Sequence, residues 1–191
     1  MSDAPPKRSL TVLWVMLALT IAPVAASYFI YYFWPPSGAV NYGELVEPRR
    51  VPDTRLALAD GAPFQLSSLR GKWILVMVDS AACDAYCEKK LYYMRQVRLA
   101  QGKEMERVER AFLLNDDATT APERLAPYAG TWLIRAAGSE VLALLPAPEA
   151  RSAHIYLIDP LGNLMMRYPP EPDPKRMIKD LKRLLKASRI G

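Results

Sequence analysis

The chain has 191 residues, of which 51% are hydrophobic and 24% are charged, and its net charge is +5 at pH 7. This composition excludes a disordered or collagen-like chain, and the charge is too small for a nucleic-acid-binding surface, so no nucleic-acid partner is expected. The mean hydropathy of −0.04 hides an uneven distribution. A long uncharged segment precedes a chain of ordinary soluble composition, which predicts one membrane segment and one soluble domain.

Residues 9–34 contain no charged residue and are predicted to form a transmembrane helix. The stretch from Leu10 to Phe33 would be about 36 Å long as a helix, enough to cross a hydrocarbon core of about 30 Å. Aromatic residues crowd its C-terminal end, as in an interfacial aromatic belt. The alternative is a cleaved signal peptide with small residues at 22–26, but the apolar run continues past them and favours an uncleaved anchor.

The charges that flank the membrane segment predict its orientation. Lys7 and Arg8 precede it, and positive residues tend to stay on the cytoplasmic side. Residues 1–8 are therefore predicted to be cytoplasmic, and the C-terminal domain periplasmic, in a single-pass protein of a bacterial inner membrane. Residues 35–54 are Pro-rich and are interpreted as a spacer, and residues 55–191 as the soluble domain.

The soluble domain is predicted to be an α/β domain in which strands and helices alternate. The uninterrupted apolar run at 73–78 is typical of a strand buried on both faces. The order of elements predicts a mixed sheet with helices on both faces and an antiparallel hairpin at its edge. In chain order we predict a short strand at 55–59, strand 73–78, helix 83–101, strand 108–114, short helix 122–128, short strand 131–134, helix 139–145, hairpin strands 154–159 and 164–168, and a final helix.

The final helix has opposite apolar and basic faces. Asp173 is a suitable N-cap, and Pro174 suits the first helical position. We interpret the basic face as a solvated surface on a helix packed against the sheet, and a contact with the membrane surface is the alternative that the anchor favours. The basic residues are Lys175, Arg176, Lys179, Lys182, Arg183 and Lys186.

Two cysteines, Cys83 and Cys87, follow the buried strand where a helix should begin. In open α/β sheets this is where sites form, and a helix N-terminus stabilises a thiolate. The four-residue spacing puts both sulfurs on one helical face. The pair can close a disulfide or, as two thiolates, bind a soft metal such as Cu(I). A structural disulfide would close only a short loop and stabilise the chain little, so redox or metal chemistry is the favoured interpretation and both cysteines are candidate catalytic residues.

His154 is the single histidine of the chain. It begins the predicted strand 154–159, which starts at the cysteine edge of the sheet only if it runs antiparallel to strand 73–78. There His154 could be a third copper ligand or a base near the thiols, although a lone histidine is also commonly structural. Asp84 and Glu88 would flank the sulfurs, and their negative charges would disfavour a thiolate.

Residues 64–73 (FQLSSLRGKW), followed by an apolar strand and two close cysteines, resemble the thioredoxin-like superfamily. The three-residue gap between the cysteines resembles the Sco/SenC copper-chaperone branch of membrane-anchored cytochrome c oxidase assembly proteins. Residues 115–123 resemble the segment that follows a strand in that branch, and residues 156–162 (YLIDPLG) resemble its final strand and turn. The resemblance covers about residues 55–186.

This resemblance implies a thioredoxin fold and assembly of the copper centre of cytochrome c oxidase from the periplasm. Copper would be bound by Cys83 and Cys87, with His154 as a candidate third ligand. The partner would be a cytochrome c oxidase subunit or another assembly factor. One alternative is a periplasmic thiol–disulfide oxidoreductase with broader substrates, in which Cys83 attacks and Cys87 resolves the mixed disulfide. The other is a non-catalytic membrane-bound interaction domain.

Three positions differ from the patterns of these families. Arg151 stands where the Sco branch usually has its ligand histidine, and Glu88 replaces the proline that follows its second cysteine. Compared with thiol reductases of the TlpA type, Ala153 takes the place of the cis-proline beside the cysteines, and His154 follows it directly. The resemblance therefore carries over the two cysteines more directly than it carries over the histidine.

Overall fold

The computed structural model describes residues 10–33, 41–118, 122–147, 149–188 and 190. The chain divides into two compact units, Met1–Val40 and Asn41–Gly191. The predicted cytoplasmic segment 1–8 and the first part of the predicted spacer, 35–40, lie outside the described residues.

The described part of the first unit is a single helix, α1, at Leu10–Phe33. It is 24 residues long, contains Pro23, and exposes all of its side chains. It is long and apolar enough to cross a membrane, and an apolar surface of this size is not stable in water. The helix is the one predicted from the sequence, and it supports a single-pass membrane anchor.

The described residues of the second unit form one sheet with strands β1 Glu44–Arg50, β2 Leu56–Leu58, β3 Pro63–Phe64, β4 Trp73–Asp79, β5 Val108–Leu114, β6 Trp132–Arg135, β7 Ile155–Ile158 and β8 Asn163–Arg167. Their spatial order is β1-β8-β7-β4-β5-β6-β2-β3. Strands β4, β5 and β6 are parallel, whereas β7 is antiparallel to β4, and β8 to β7. The mixed sheet predicted from the sequence is confirmed.

Apolar side chains cover both faces of this sheet. Along β4 the side chains alternate between two cores, with Leu75 and Met77 in one and Val76 and Val78 in the other. The first core also contains buried side chains of the two long helices, and the second contains those of a short one. The helices of this unit are α2 Ala85–Leu99, α3 Pro122–Leu125, α4 Glu140–Leu144 and α5 Pro174–Ala187.

The structure differs from the sequence interpretation at the edge of the sheet. Residues 44–50, which fall in the predicted spacer 35–54, form β1 and pair antiparallel with β8, with Leu45 opposite Met166. The hairpin β7–β8 is therefore not at the edge, because β1 covers it. β1 is mostly exposed and contains charges and Pro48, as edge strands commonly do, so it lacks the apolar alternation that would reveal it.

The antiparallel pairing of β7 with β4 decides where His154 lies. Ile155, the first residue of β7, is opposite Met77, close to the carboxyl end of β4. The turn that leads to the cysteines leaves β4 at that same end. His154 therefore enters the sheet at the cysteine edge, which was the condition for a role beside the two thiols.

Candidate redox and metal site

Cys83 and Cys87 form a disulfide, with an S–S distance of 2.00 Å and a Cα–Cα distance of 5.1 Å. Cys83 is not helical. Its φ is +45°, and its backbone N–H donates to the carbonyl of Ser80 at 3.1 Å. Helix α2 begins at Ala85, so the prediction that both sulfurs lie on one helical face was wrong. The left-handed conformation of Cys83 instead turns its side chain towards Cys87 in the first helical turn.

Asp84 ends the loop and caps helix α2. Its carboxylate accepts a hydrogen bond from the N–H of Cys87 at 2.9 Å, which satisfies one of the open donors at the helix N-terminus. That donor is therefore not available to a thiolate. Arg124 partly offsets the acidic surroundings, because it donates to the carbonyl of Cys83 at 3.0 Å and pairs with Glu88 at 3.6 Å.

The disulfide is buried beneath neighbouring side chains. Cys83 is 2% exposed and Cys87 is 0% exposed. Both belong to the core beside α2, and α3 lies next to the loop that carries Cys83, because Arg124 of α3 donates to the carbonyl of Cys83. An attacking thiol must reach a sulfur of the disulfide, so reaction with a partner requires that the residues burying the cysteines move.

Asp116 holds the loop after β5 against the turn that leads to Cys83. Its Oδ1 accepts hydrogen bonds from the N–H groups of Ala81 at 2.9 Å and Ala118 at 3.2 Å. A hydrogen bond from Ser80, followed by that from Ala81, lowers the pKa of Asp116. These bonds favour the ionised carboxylate and join the loop after β5 to the turn that leads to Cys83.

Asp116→Ala is expected to accelerate reduction of the disulfide by dithiothreitol about tenfold, because it removes hydrogen bonds to a charged group that fix the turn leading to the buried Cys83. The rate is measured from thiol release. Asp117→Ala is the matched control, since Asp117 is exposed and its contact among the described residues is a long ion pair with Arg135, at 4.0 Å. Equal rates in the two variants would contradict this role for Asp116.

The same contact predicts a dependence on pH. Because the pKa of Asp116 is lower in the folded state than in the unfolded state, the stabilisation that its ionised carboxylate provides is complete above the unfolded pKa of about 3.9. This stabilisation is lost as the pH falls through the pKa of the folded state. The rate of reduction by a phosphine, which does not require a thiolate reagent, should therefore differ between wild type and Asp116→Ala at neutral pH. The two rates should become equal only at acidic pH.

His154 is 8% exposed, and its ring is oriented by a backbone carbonyl of the residue that directly follows β8. Its Nδ1 lies 2.7 Å from the carbonyl oxygen of Tyr168. A carbonyl only accepts, so Nδ1 carries the hydrogen, and Nε2 of the neutral ring keeps its lone pair. A backbone acceptor that fixes one ring nitrogen in this way is typical of metal-ligating histidines.

Metal ligands are not gathered in this oxidised state. Over the described ranges, no group of three His, Cys, Asp or Glu residues is placed to hold a metal ion. The two sulfurs are bonded to each other and carry no thiolate. The ligand set Cys83, Cys87 and His154 therefore remains a prediction for the reduced protein, in which the pair supplies two soft donors and the histidine a third.

The sequence interpretation missed an ion pair between the buried Lys90, three residues after Cys87 on α2, and Asp79 at the end of β4. Lys90 of α2 is fully buried, and its Nζ donates to Asp79 Oδ2 at 2.6 Å and to the carbonyl of Val78 at 3.3 Å. It also donates to the carbonyl of Ser152. Burial lowers the pKa of Lys90, and the carboxylate of Asp79 opposes this shift.

Lys90 and Tyr86 tie the cysteine helix to the segment that precedes His154. The hydroxyl of Tyr86 donates to the carbonyl of Ala153 at 2.9 Å, and Lys90 lies 5.1 Å above the Tyr86 ring. With the bond to Ser152, two successive carbonyls before His154 are fixed by α2. These contacts position the histidine relative to the helix that carries Cys87.

Comparison with solved structures shows a shared fold. The chain is 20% identical to the copper-bound ScoI of Bradyrhizobium japonicum over 73% of this chain and 99% of that one, with a TM-score of 0.54. It is 18% identical to yeast Sco1, covering 75% of this chain and 96% of that one, with a TM-score of 0.58. The thioredoxin domain of a Bacteroides vulgatus thiol–disulfide oxidoreductase is 17% identical, covering 74% and 99%, with a TM-score of 0.52.

A comparison with curated proteins found no match. A family model described as a transmembrane-like, thioredoxin-like C-terminal domain matches residues 73–188, which include the sheet from β4 to β8, the cysteine pair, His154 and α5. The thioredoxin-like fold expected from the sequence is thus confirmed by family and by structure. The chain belongs to the transmembrane-like, thioredoxin-like C-terminal domain family.

Proposed function

We propose that this protein is a membrane-anchored periplasmic assembly factor for the copper centre of cytochrome c oxidase in a bacterial inner membrane. The observation that carries this proposal is the Cys83–Cys87 disulfide at the carboxyl end of β4, with an oriented histidine entering at the same edge. Support comes from the fold that the chain shares with copper-bound ScoI. An oxidising compartment allows the pair to cycle between disulfide and dithiol.

The reduced pair has two uses in such assembly. As thiolates, Cys83 and Cys87 bind a Cu(I) ion as cargo, with His154 Nε2 as the third donor. As a dithiol, the pair reduces a disulfide at the partner's copper site. In that reaction Cys83 attacks a partner sulfur and forms a mixed disulfide, and Cys87 then displaces the partner's cysteine as a thiol. Two electrons pass to the partner, and an external thiol reductant restores the dithiol.

The burial of the disulfide favours a dedicated partner over many substrates. With Cys83 2% exposed and Cys87 0% exposed, a substrate must supply enough binding energy to displace the residues that bury the sulfurs. A specific membrane-bound partner can do so through an extended surface, whereas a small or unfolded substrate makes fewer contacts. This is why the assembly role is preferred to that of a general thiol–disulfide oxidoreductase.

Complementation tests the proposal. In a strain that lacks this protein, Cys83→Ser/Cys87→Ser is expected to leave cytochrome c oxidase activity and the copper content of the enzyme at the level of the deletion strain. Wild type and the Asp117→Ala control are expected to restore both. The double variant changes two sulfur atoms to oxygen, so its membrane level, measured by immunoblot, should match that of wild type.

Three outcomes separate the alternatives. Full restoration by the double variant would exclude both copper and thiol chemistry and leave a non-catalytic interaction domain. A broader oxidoreductase would be favoured if only wild type restored activity, while the strain with the double variant kept normal oxidase copper and showed general defects in periplasmic disulfides. Reduction of insulin that depends on Cys83 would point the same way.

A further inference from the structure

Helix α5 presents a basic face that the core packing does not use. Its apolar residues Met177, Leu181 and Leu185 are buried against the sheet. All of its lysines and arginines are exposed. Within the described ranges, four of these form no ion pair and make no side-chain hydrogen bond, namely Lys175, Lys179, Lys182 and Lys186.

Within α5 itself, no exposed acid interrupts this face. The acidic residue within α5 is Asp180, which is 2% exposed and points to the other side of the helix. The two acids that precede the helix are already engaged, since Glu171 pairs with Lys89 and Asp173 accepts from the N–H of Lys175 as the N-cap. The exposed charges that α5 itself carries are therefore all positive, along about 21 Å of helix.

Asp180 attaches the start of the second unit to the inner side of this helix. Its Oδ2 accepts hydrogen bonds from the N–H groups of Tyr42 at 2.7 Å and Gly43 at 2.9 Å. The guanidinium of Arg176 lies 4.0 Å above the Tyr42 ring, and the Tyr42 hydroxyl accepts from the N–H of Asp173 at 2.9 Å. The point at which the chain arrives from its anchor is thus fixed against α5.

The length of the connecting chain limits how far this point can be from a membrane. Residues 34–40 are all that separates Phe33 from Asn41, so the chain reaches at most about 28 Å between them. Because residues 42–43 are bonded to α5, the basic face is held at a high effective concentration near any bilayer that α1 spans. Electrostatic attraction to anionic lipids acts within about a Debye length, about 8 Å at physiological salt.

We propose that the basic face of α5 docks on the anionic lipid headgroups of the membrane that holds α1. The docking is electrostatic, because the apolar side of the helix is occupied by the core and cannot insert into the bilayer. It orients the domain on the membrane and does not depend on the state of the disulfide. An acidic protein would complement the same charge, but the short tether and its attachment to α5 favour the lipid surface.

Lysine labelling of the full chain in lipid nanodiscs tests this surface. Nanodiscs of phosphatidylcholine are compared with nanodiscs that also contain phosphatidylglycerol, and a water-soluble acylating reagent modifies accessible lysines. We expect Lys175, Lys179, Lys182 and Lys186 to be labelled severalfold more slowly on the anionic discs. The protection should disappear at about 0.5 M salt, where screening is nearly complete over a few ångströms.

A variant with two lysines neutralised shows whether the lysines of the basic face bind the lipid together. Lys179→Gln/Lys182→Gln should restore the labelling of Lys175 and Lys186 on anionic discs, because each lysine near the surface contributes about a fivefold factor to binding. The matched control, Arg50→Gln/Arg95→Gln, removes the same charge from exposed positions on β1 and α2 and should leave the protection intact.

Two outcomes would overturn the proposal. Equal labelling on both kinds of nanodisc, with wild type correctly folded by circular dichroism, would show that the face does not contact anionic lipid. Protection in native membranes but not on anionic nanodiscs would assign the face to an acidic protein instead.

Discussion

The reduced full-length chain is expected to bind one Cu(I) ion, and Cys87→Ser is expected to lower its Cu(I) affinity at least about 100-fold. Changes next to metal ligands already cost about 10–100-fold, and this variant removes a thiolate donor itself. Affinity is measured by competition with a Cu(I) chelator under reducing conditions, in detergent or nanodiscs. The oxidised chain should bind no Cu(I) at this site, because its sulfurs are joined to each other.

His154→Ala separates a ligand from a structural histidine. If Nε2 is the third donor, the variant should keep one Cu(I) per chain but bind it about 10–100-fold more weakly. Tyr168→Phe is the matched control. It retains the carbonyl that orients His154 and removes a buried hydroxyl that has no hydrogen-bond partner among the described residues. Unchanged affinity in His154→Ala would remove the histidine from the ligand set. No Cu(I) binding by wild type would exclude the copper role and leave thiol chemistry or a non-catalytic interaction domain.

Most of the sheet could be predicted from local sequence patterns. The run at 73–78 has no polar interruption because β4 is central and buried on both faces, so its sequence alone indicates its place. β1 could not be predicted in this way, because its pairing depends on β8, more than a hundred residues later. An exposed edge strand carries little apolar signal, and Pro48 argues locally against a strand.

The place of the cysteine pair in the fold was predictable, but its local geometry was not. The spacing of the cysteines allowed either a disulfide or a metal-binding dithiol, whereas the position of the first sulfur outside the helix depends on the Asp84 cap and on the φ of Cys83. Lys90 was missed because a lysine in a helix is usually exposed. A signal was present, since Lys90 shares the buried stripe of α2 with Cys87, Leu91 and Met94.

Asp79→Asn is expected to lower the free energy of unfolding by about 3–5 kcal/mol, because it leaves the Lys90 charge buried without its partner. The side chain of Lys90 is 1% exposed, whereas that of Asp79 is 17% exposed. Lys90→Met should therefore cost less, since water can still reach the unpaired carboxylate. The double variant, with no buried charge left, should be more stable than Asp79→Asn. Denaturant unfolding of the full chain, followed by near-ultraviolet circular dichroism, measures all three.

Lys89→Met is the control for this cycle. Lys89 is the neighbour of Lys90 and pairs with Glu171, but both side chains are largely exposed, so the unfolding midpoint should not change. If Lys89→Met and Lys90→Met lowered the free energy of unfolding equally, the helix in general, and not the ion pair, would be sensitive to substitution. Additive effects of Asp79→Asn and Lys90→Met would contradict an ion pair between them.

The pH dependence of Asp79→Asn gives an independent test of the buried charge. Burial already lowers the pKa of Lys90 in the wild type, and Asp79 opposes the shift, so the variant should lower this pKa further. Between the folded value and the unfolded value of about 10.4, the unfolded chain binds more protons, and stability rises with pH. Asp79→Asn should therefore recover stability as the pH is raised towards 10.4, whereas Asp79→Asn/Lys90→Met, which has no lysine to neutralise there, should not.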